Sequence, residues 1–318
     1  MEEIVAVLTG QPTAEPRDPD PRSANMDLEL FRNVCYIVCG VVIDGGRVLM
    51  VQEAKASCRG KWYLPAGRME RNESIVDAVK REVKEESGLD FEPEALLCIE
   101  CHAHSWVRFT LGGRIVGGAL KTVAEADRES LQAQWQPAEK TKLLHSVELR
   151  AHDVLKLISI ARRWYGGGKP YRGTPVAVGH VSCSLRLVVV RESSTGCLEG
   201  LVRGGEGGPR LPVSLFTHYH EGGIQAAVTK TLKGCGYEGE FRVVGVVHVE
   251  HVGKAGWRDG FCLSLLVRLP PPGELEVGGA TRWRWEKVEG ECGERVRAAL
   301  NEDPPGCATL IDLTSRHF

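Results

Sequence analysis

Three glutamates between residues 82 and 86 have the spacing of a metal-binding cluster. Glu82, Glu85 and Glu86 stand at i, i+3 and i+4, so on a helix their carboxylates lie on one side. The segment from about 74 to 87 has helical apolar periodicity, and Glu86 follows Val79 by about two turns, toward the same apolar face. Carboxylates that cluster near a core resist ionisation, and Mg²⁺ relieves that conflict. A solvated helix face is the simpler alternative, and the surrounding residues must decide between the two.

The surrounding segment, residues 67–89, carries further fixed positions. Its sequence, G-RMERN-E-SIVDAVK-REVKEE-S-G-L, resembles the Nudix box, G-x5-E-x7-R-E-U-x-E-E-x-G-U with U aliphatic, at every specified position. The resemblance extends over about residues 32–165. It implies the Nudix fold, an α/β/α sandwich with a mixed sheet, and a metal-dependent hydrolase acting on a nucleoside diphosphate derivative.

The resemblance also assigns roles within the box. Glu82, Glu85 and Glu86 match the metal-binding glutamates, which would hold Mg²⁺, with Mn²⁺ as a substitute. Glu82 is in addition a candidate for activating the attacking water. Arg81 matches the arginine that orients the glutamates and pairs with Glu73. The structural positions of the box are Gly67, Glu73 and Gly88.

Two further metal ligands are implied outside the box. The carbonyl of Ala66 matches a backbone ligand of MutT-like members. These enzymes often use one more carboxylate ahead of a tryptophan, and Glu129, six residues before Trp135, is the expected residue. Glu125 and Asp127 are its competitors.

The sequence stretches on either side of the box narrow the range of expected substrates. The stretches RNVCYIV, QEAKASCRGKWYLPAGRME, SWVRF and LKTVAEADRESLQAQW resemble family members that convert oxidised guanine nucleoside diphosphates, such as 8-oxo-dGDP and 8-oxo-GDP, to monophosphates.

MutT-like members often hold phosphate with arginines at the end of the second strand, where this chain has Gln52 and Glu53. Four cations could replace those arginines: Lys55, Arg59, Lys61 and Arg68. Two aromatic residues, Trp106 and Phe109, are candidates for stacking on a purine, although strand aromatics are more often core residues.

Two other functions stay open at this point. One is a Nudix pyrophosphatase for another diphosphate, such as a nucleotide sugar or a dinucleotide. The other, less favoured, is a nucleotide-binding regulator without catalytic activity. The intact box argues against the regulator, because a sensor has no use for glutamates that cleave its ligand.

Composition and charge exclude several classes of protein. A net charge of −2 over 318 residues is not the basic excess of a protein that coats nucleic acid or a membrane surface. No apolar run reaches the roughly 18 residues of a membrane span, and the acidic N-terminus does not resemble a signal peptide. The eleven cysteines have no disulfide-framework spacing. A cytoplasmic enzyme with no nucleic acid polymer and no membrane as partner is expected.

The length predicts two domains. We expect a disordered arm over residues 1–25, a catalytic domain over 26–165, a Gly-rich linker over 166–177 and a second domain over 178–318. In the catalytic domain, strands are predicted near 95–111 and 114–122, and a helix at about 149–165.

The second domain repeats landmarks of the first at a near-constant offset. Leu64-Pro65 and Leu211-Pro212 lie 147 residues apart, and Trp135 and Trp285 lie 150 apart. Glu73 with Glu221 and Gly88 with Gly236 are each separated by 148 residues. The repetition indicates an internal duplication. The box residues themselves are replaced, at the 148-residue offset, by Thr229, Lys230, Lys233 and Gly234. A degenerate Nudix-like domain without the metal box is therefore expected, free to dimerise or to bind another protein.

Overall fold

The computed structural model describes ten stretches of the chain. They are residues 2–13, 34–102, 106–167, 173–180, 183–204, 209–215, 223–252, 259–272, 282–301 and 308–312. Two units emerge, residues 34–167 and 173–312, each built on β-sheet. Over these stretches, no helix has the length and apolar character needed to cross a membrane.

The first unit combines a mixed sheet with a smaller antiparallel one. Its elements are β1 (Tyr36–Val41), β2 (Ile43–Asp44), β3 (Arg47–Glu53), β4 (Trp62–Tyr63), β5 (Ala66–Arg68), α2 (Ile75–Ser87), β6 (Leu89–His102), β7 (Trp106–Gly118), β8 (Ser130–Pro137), α3 (Lys140–Ser146) and α4 (Asp153–Gly166). Strand β1 is parallel to β7 and antiparallel to β5. Strand β3 pairs with β2, β4 and β8.

Helices cover both faces of the mixed sheet. Side chains alternate along a strand, so in β1 Val38 joins the core that contains Val79 of α2. Its neighbour Cys39 joins the opposite core, which contains Leu157 and Trp164 of α4. The expected α/β/α sandwich with a mixed sheet is confirmed. Helix α4 begins four residues later than predicted, at Asp153.

The predicted break between strands near residues 112–113 is wrong, because β7 continues through both glycines. A Cβ on Gly112 would lie 2.8 Å from a methyl group of Leu97, and one on Gly113 would lie 2.1 Å from the carbonyl oxygen of Glu92. These glycines therefore permit a close approach between β7 and β6 and do not mark a turn.

The second unit repeats the strand pairings of the first. Its elements are β9 (Ser184–Glu192), β10 (Leu198–Arg203), β11 (Val213–Leu215), α5 (Gly223–Gly234), β12 (Arg242–His251), β13 (Phe261–Arg268), β14 (Trp283–Lys287), α6 (Gly290–Asn301) and β15 (Thr309–Asp312). Strand β9 is parallel to β13 and antiparallel to β11, as β1 is to β7 and β5. Strands β10 and β14 pair as β3 and β8 do. This correspondence supports the duplication inferred from the sequence.

The two units share one apolar core. Tyr36 of β1 packs edge-on against Phe109 and Phe261, with ring centroids 5.9 and 5.7 Å away. Its hydroxyl donates to the carbonyl of Asp259. Strand β15 crosses from the second unit and pairs in parallel with β6. Within the predicted linker, the carbonyl of Gly173 accepts a hydrogen bond from the Leu96 amide, so this part of it is held against the first unit.

The N-terminal segment is not the disordered arm that the sequence predicted, at least over residues 2–13. Residues Glu2–Leu8 form helix α1, whose Ile4 and Val7 are buried in a core of the second unit. Glu3 ion-pairs with Arg186 at 3.2 Å. The amide and hydroxyl of Thr13 both donate to Glu250. The prediction failed because these partners lie far away in the sequence. Residues 14–25 lie outside the described residues.

Candidate active site

Helix α2 is fixed at both ends by local signals in the sequence. The Ser74 side chain accepts a hydrogen bond from the Asp77 amide and so caps the N-terminus. Gly88 ends the helix in the left-handed conformation, with φ 78°. A Cβ there would also lie 2.2 Å from the carbonyl oxygen of Ala119, so only glycine fits. The predicted helix over 74–87 and the structural role expected of Gly88 agree with this geometry.

The three box glutamates project from α2 into different environments. Glu82 and Glu86 are buried, with 8% and 4% of their surface exposed, whereas the side chain of Glu85 is 47% exposed. One Glu86 oxygen accepts a hydrogen bond from the Ala66 amide at 2.9 Å. Two carboxylates are thus held out of water on the side of the helix that packs against β5.

Burial makes these two carboxylates hard to ionise. It raises the pKa of Glu86 to about 8, against the opposing effect of the Ala66 hydrogen bond and with help from the charges of Glu82 and Glu53. Burial likewise raises the pKa of Glu82, although Arg81 pulls in the opposite direction. Such a pair is stabilised in its charged form by a nearby cation.

Arg81 links the acidic residues of the box. Its guanidinium donates to both oxygens of Glu73, to Glu82 at 2.8 Å and to Glu85 at 3.1 Å. It also donates to the carbonyl of Arg68 at 3.1 Å. The structure therefore brings together Arg81 and three of the glutamates that the sequence singled out, and the role of Arg81 in orienting them stays a prediction.

Gly67 allows a carboxylate to lie directly against the backbone. It sits in β5, paired with Val38 of β1, and a Cβ at this position would lie 2.2 Å from the carboxyl group of Glu82. A larger residue would displace Glu82. The glycine of the box is therefore explained by close approach, with no special backbone conformation.

The donor set at this site suits a hard divalent cation. Its oxygen groups, two of them buried with raised pKa values, are those that Mg²⁺ prefers. Across the described residues, no three Asp, Glu, His or Cys side chains form a closed ligand cage. Arg81 engages only one oxygen of Glu82 and one of Glu85, so it can keep these contacts while the second oxygen of each carboxylate binds a cation.

Among the three carboxylates proposed as the extra ligand, Glu129 is the best placed. Its charge contributes to raising the pKa of Glu82, so the two groups are near each other. Glu125 is engaged by the amide and hydroxyl of Thr122. Asp127 pairs with Lys121 at 2.6 Å and accepts from two backbone amides. Glu129 also has a local partner, the exposed Arg128 at 3.1 Å, but it lines the cavity and lies near Glu82, which favours it as the extra ligand.

Glu82 and Glu85 line a cavity of about 1200 Å³, and Glu86 lies behind them, outside its lining. Its walls carry acids and cations together, with few apolar groups: Ile37, Lys55, Tyr63, Ala66, Gly67, Arg68, Glu70, Arg81, Glu82, Glu85, Arg108, Asp127, Arg128, Glu129 and Arg150. Ala66 and Arg68, both expected at the site, are among them. A space of this size can hold a nucleotide.

One of the two proposed stacking residues is wrong. Phe109 is fully buried and packs against Tyr36 and Phe261 in the core shared by the two units, so it cannot reach a substrate. Trp106 does not line the cavity, but its ring lies 5.5 Å from the guanidinium of Arg108, which does.

Sequence reasoning missed a polar network on the cavity wall. Arg108 donates to Glu100, to the Tyr63 hydroxyl and to Asp153, and the Tyr63 hydroxyl donates to Asp153 at 2.7 Å. Arg150 stacks on the Tyr63 ring. A signal for Arg108 existed, since a charged residue between Val107 and Phe109 occupies a position where both sheet faces are covered.

The equivalent helix of the second unit lacks this arrangement. In α5, Thr229 and Lys230 are exposed, and Lys233 pairs with the exposed Glu238 at 3.2 Å. The expected counterpart of Glu73, Glu221, lies outside the described residues. No acidic cluster like that of α2 is found on α5.

Known proteins resemble the chain well beyond this site. The NUDIX domain family matches residues 35–158. The Homo sapiens 8-oxo-dGDP phosphatase NUDT18 is 40% identical over 285 residues, which cover 83% of this chain and 82% of that protein. The Mus musculus protein of the same name is 38% identical and covers 94% of this chain and 92% of its own length. A putative nudix hydrolase 1 of Caenorhabditis elegans is 41% identical over 57% of this chain and 51% of its own. The similarity to the vertebrate phosphatases continues into the second unit. The chain therefore belongs to the Nudix family and is a Nudix-type phosphoanhydride hydrolase.

Proposed function

We propose that the chain hydrolyses oxidised purine nucleoside diphosphates, such as 8-oxo-dGDP and 8-oxo-GDP, to a monophosphate and phosphate with Mg²⁺ as cofactor. The observation that carries the proposal is a group of three glutamates on α2: Glu82 and Glu85 line a nucleotide-sized cavity, and Glu82 and Glu86 are buried. The names of the vertebrate relatives support the choice of substrate. Such a reaction removes damaged nucleotides from the precursor pool.

The residues of the box have distinct roles in this proposal. Glu82, Glu85 and Glu86, with the Ala66 carbonyl and Glu129, would hold Mg²⁺ or Mn²⁺. When bound, the cation supplies positive charge that neutralises the diphosphate and favours deprotonation of the attacking water. Glu82 accepts the proton of that water. Arg81 orients Glu82 and Glu85, and Glu73 orients Arg81.

The cations of the cavity provide binding sites for the diphosphate. Arg68 and Lys55 line the same space as the glutamates. The two other cations suggested by the sequence are placed away from it. Arg59 donates to the carbonyl of Ala54, and Lys61 pairs with Glu148 at 2.8 Å.

A phosphate-release assay over a nucleotide panel tests the proposal. With Mg²⁺, kcat/KM for 8-oxo-dGDP is expected to exceed that for dGDP and for 8-oxo-dGTP by roughly tenfold, the usual value of one hydrogen-bonded edge. EDTA should abolish turnover and added Mg²⁺ should restore it. Comparable values for the three nucleotides, or fastest cleavage of ADP-ribose or a dinucleotide, would favour the alternative pyrophosphatase. Binding without turnover of any compound would favour a regulator.

We also propose that residues 178–318 form a second, catalytically inactive Nudix-like domain. The repeated strand pairings support this, as does the replacement of the box acids by Lys230 and neighbouring residues. The full-length Glu86→Gln variant should then show no residual metal-dependent hydrolysis. The remaining role of this domain would be dimerisation or binding of another protein, which light scattering of the purified chain would test.

A further inference from the structure

We propose that Arg150 binds an acceptor oxygen of the nucleotide and replaces the arginine that MutT-like proteins carry at the end of the second strand. The inference rests on the proposed function, since it assumes that the cavity holds a nucleotide. The strand of this chain that corresponds to it is β3, which ends at Glu53. The structure shows Glu53 holding an arginine that comes from a distant part of the sequence.

The backbone of Arg150 is fixed beside the cavity. The Trp62 amide of β4 donates to the carbonyl of Glu148 at 2.8 Å, and the Arg150 amide donates to the carbonyl of Trp62 at 2.9 Å. Leu149 forms a parallel bridge with Trp62 and is buried in the core beneath. The segment thus runs alongside β4 as an added strand, which places Arg150 next to Tyr63.

The side chain of Arg150 is held by two contacts. Its Nη1 donates to Oε1 of Glu53 at 2.6 Å, and its guanidinium lies 5.0 Å from the centroid of the Tyr63 ring. A guanidinium that stacks on an aromatic face and pairs with a carboxylate loses much of its freedom before any ligand arrives. The ordering cost of binding is therefore reduced in advance.

Arg150 nevertheless keeps donors available. Its side chain is 39% exposed and lines the cavity. No described residue accepts a hydrogen bond from its Nε or Nη2. Arg108, which also lies beside Tyr63, differs because Glu100, Tyr63 and Asp153 occupy its guanidinium. Of these two arginines, Arg150 is therefore the one that can take a further acceptor, either a phosphate oxygen or a base carbonyl.

Glu53 acts as a positioning residue for Arg150. Only 3% of Glu53 is exposed, and its Oε2 has no hydrogen-bond partner among the described residues. A buried polar group without a partner is costly, and the ion pair of its Oε1 with Arg150 is the side-chain contact that offsets the burial of Glu53. This accounts for an acid in a place where the family pattern has a base.

The test measures KM and kcat for 8-oxo-dGDP and dGDP in Arg150→Gln, Arg150→Lys and the matched control Arg114→Gln. Arg114 also pairs with one glutamate, Glu94 at 3.1 Å, but it lies away from the cavity. Arg150→Gln should raise KM by about tenfold or more while kcat stays within about twofold, the pattern of a lost binding contact. Arg150→Lys, which keeps the charge without the planar fork, should give an intermediate KM. Arg114→Gln should leave both constants unchanged.

The comparison of substrates identifies the acceptor. An equal rise in KM for both nucleotides assigns Arg150 to a phosphate oxygen, and a rise confined to 8-oxo-dGDP assigns it to the base carbonyl. Values of KM for Arg150→Gln that match those of Arg114→Gln would overturn the proposal. Binding of 8-oxo-dGMP and dGMP to Arg150→Gln and wild type can also be compared by calorimetry, which does not depend on turnover. If the chain proves inactive on 8-oxo-dGDP, the proposed substrate is refuted, and the calorimetric comparison still tests the role of Arg150.

The role of Glu53 is tested in the same assay by a double-mutant cycle. Glu53→Gln alone should raise KM less than Arg150→Gln does. In the Arg150→Gln background it should add no further rise, because Glu53 acts through Arg150. A full additional rise in KM in the double variant would show that Glu53 contacts the nucleotide independently and would overturn its assignment as a positioning residue.

Discussion

Glu86→Gln should make the metal-free protein more stable while destroying its chemistry. Glu86 is 4% exposed, and burial raises its pKa from an ordinary value of 4.5 to about 8. Between these two pH values the folded chain keeps a proton that the unfolded chain releases. The free energy of unfolding therefore falls as pH rises through this window.

The size of the effect follows from the same pKa. At pH 7 the shift corresponds to about 3 kcal/mol of stability that the buried carboxylate removes. Glutamine is neutral at every pH and its side-chain oxygen can still accept the hydrogen bond from the Ala66 amide. In the absence of metal, the substitution should therefore raise the free energy of unfolding by up to about 3 kcal/mol, above the roughly 0.5–2 kcal/mol common for single stabilising changes.

Urea unfolding in EDTA at pH 5 and pH 8 measures this difference. The difference in the free energy of unfolding between Glu86→Gln and wild type should increase by about 3 kcal/mol from pH 5 to pH 8. The matched control is Glu85→Gln on the same helix, whose side chain is 47% exposed. In EDTA at pH 8, the free energy of unfolding of Glu85→Gln should exceed that of wild type by much less than that of Glu86→Gln does, because an exposed carboxylate is not desolvated. With Mg²⁺ present, Glu86→Gln should lose turnover by about a hundredfold or more, since it removes a charged ligand.

Two results would refute this reasoning. An equal pH dependence for wild type and Glu86→Gln would show that Glu86 is not held as a costly carboxylate in the metal-free fold. Near-normal turnover of Glu86→Gln at saturating Mg²⁺ would show that the buried carboxylate is not part of the metal site. The two measurements are independent, so the stability prediction and the activity prediction can be refuted separately.

Three further substitutions probe the supports of the site. Gly67→Ala would place a methyl group 2.2 Å from the Glu82 carboxyl, so kcat should fall by up to about a hundredfold from misplacement while circular dichroism stays native. Arg81→Lys cannot reproduce the contacts to Glu73, Glu82 and Glu85, and we expect a lower kcat and a higher Mg²⁺ concentration for half-maximal rate. Phe261→Ala opens the core shared by the two units and should cost about 3–5 kcal/mol in urea unfolding, with the first unit losing protection from hydrogen exchange as well.

Predictions from the sequence succeeded where the determining contacts are local. The ends of α2 follow from Ser74 and Gly88, which lie at the two ends of the helix itself. The spacing of the three glutamates likewise places them on one side of the helix. Phe109 was misjudged because its neighbour Phe261 lies 152 residues away. The network of Arg108 with Tyr63 and Asp153 escaped notice for the same reason. Periodicity shows that a residue faces inward, but it does not show whether that face meets a core, a second domain or a cavity.

The shared core gives a physical reason for the second unit to be retained without the box acids. Removing it would expose Tyr36 and Phe109, which pack against Phe261, and would open the edge of β6 that β15 now covers. An uncovered strand edge is prone to intermolecular pairing. A fragment that ends near residue 168 would thus keep every box residue and lose part of the core beneath the sheet that carries β1 and β7. The second unit, with α1 docked on its far core, completes the fold on which the glutamates of α2 depend. Selection on that packing acts on apolar side chains such as Phe261, and it places no demand for carboxylates on the exposed positions of α5, where Lys230 and Lys233 stand.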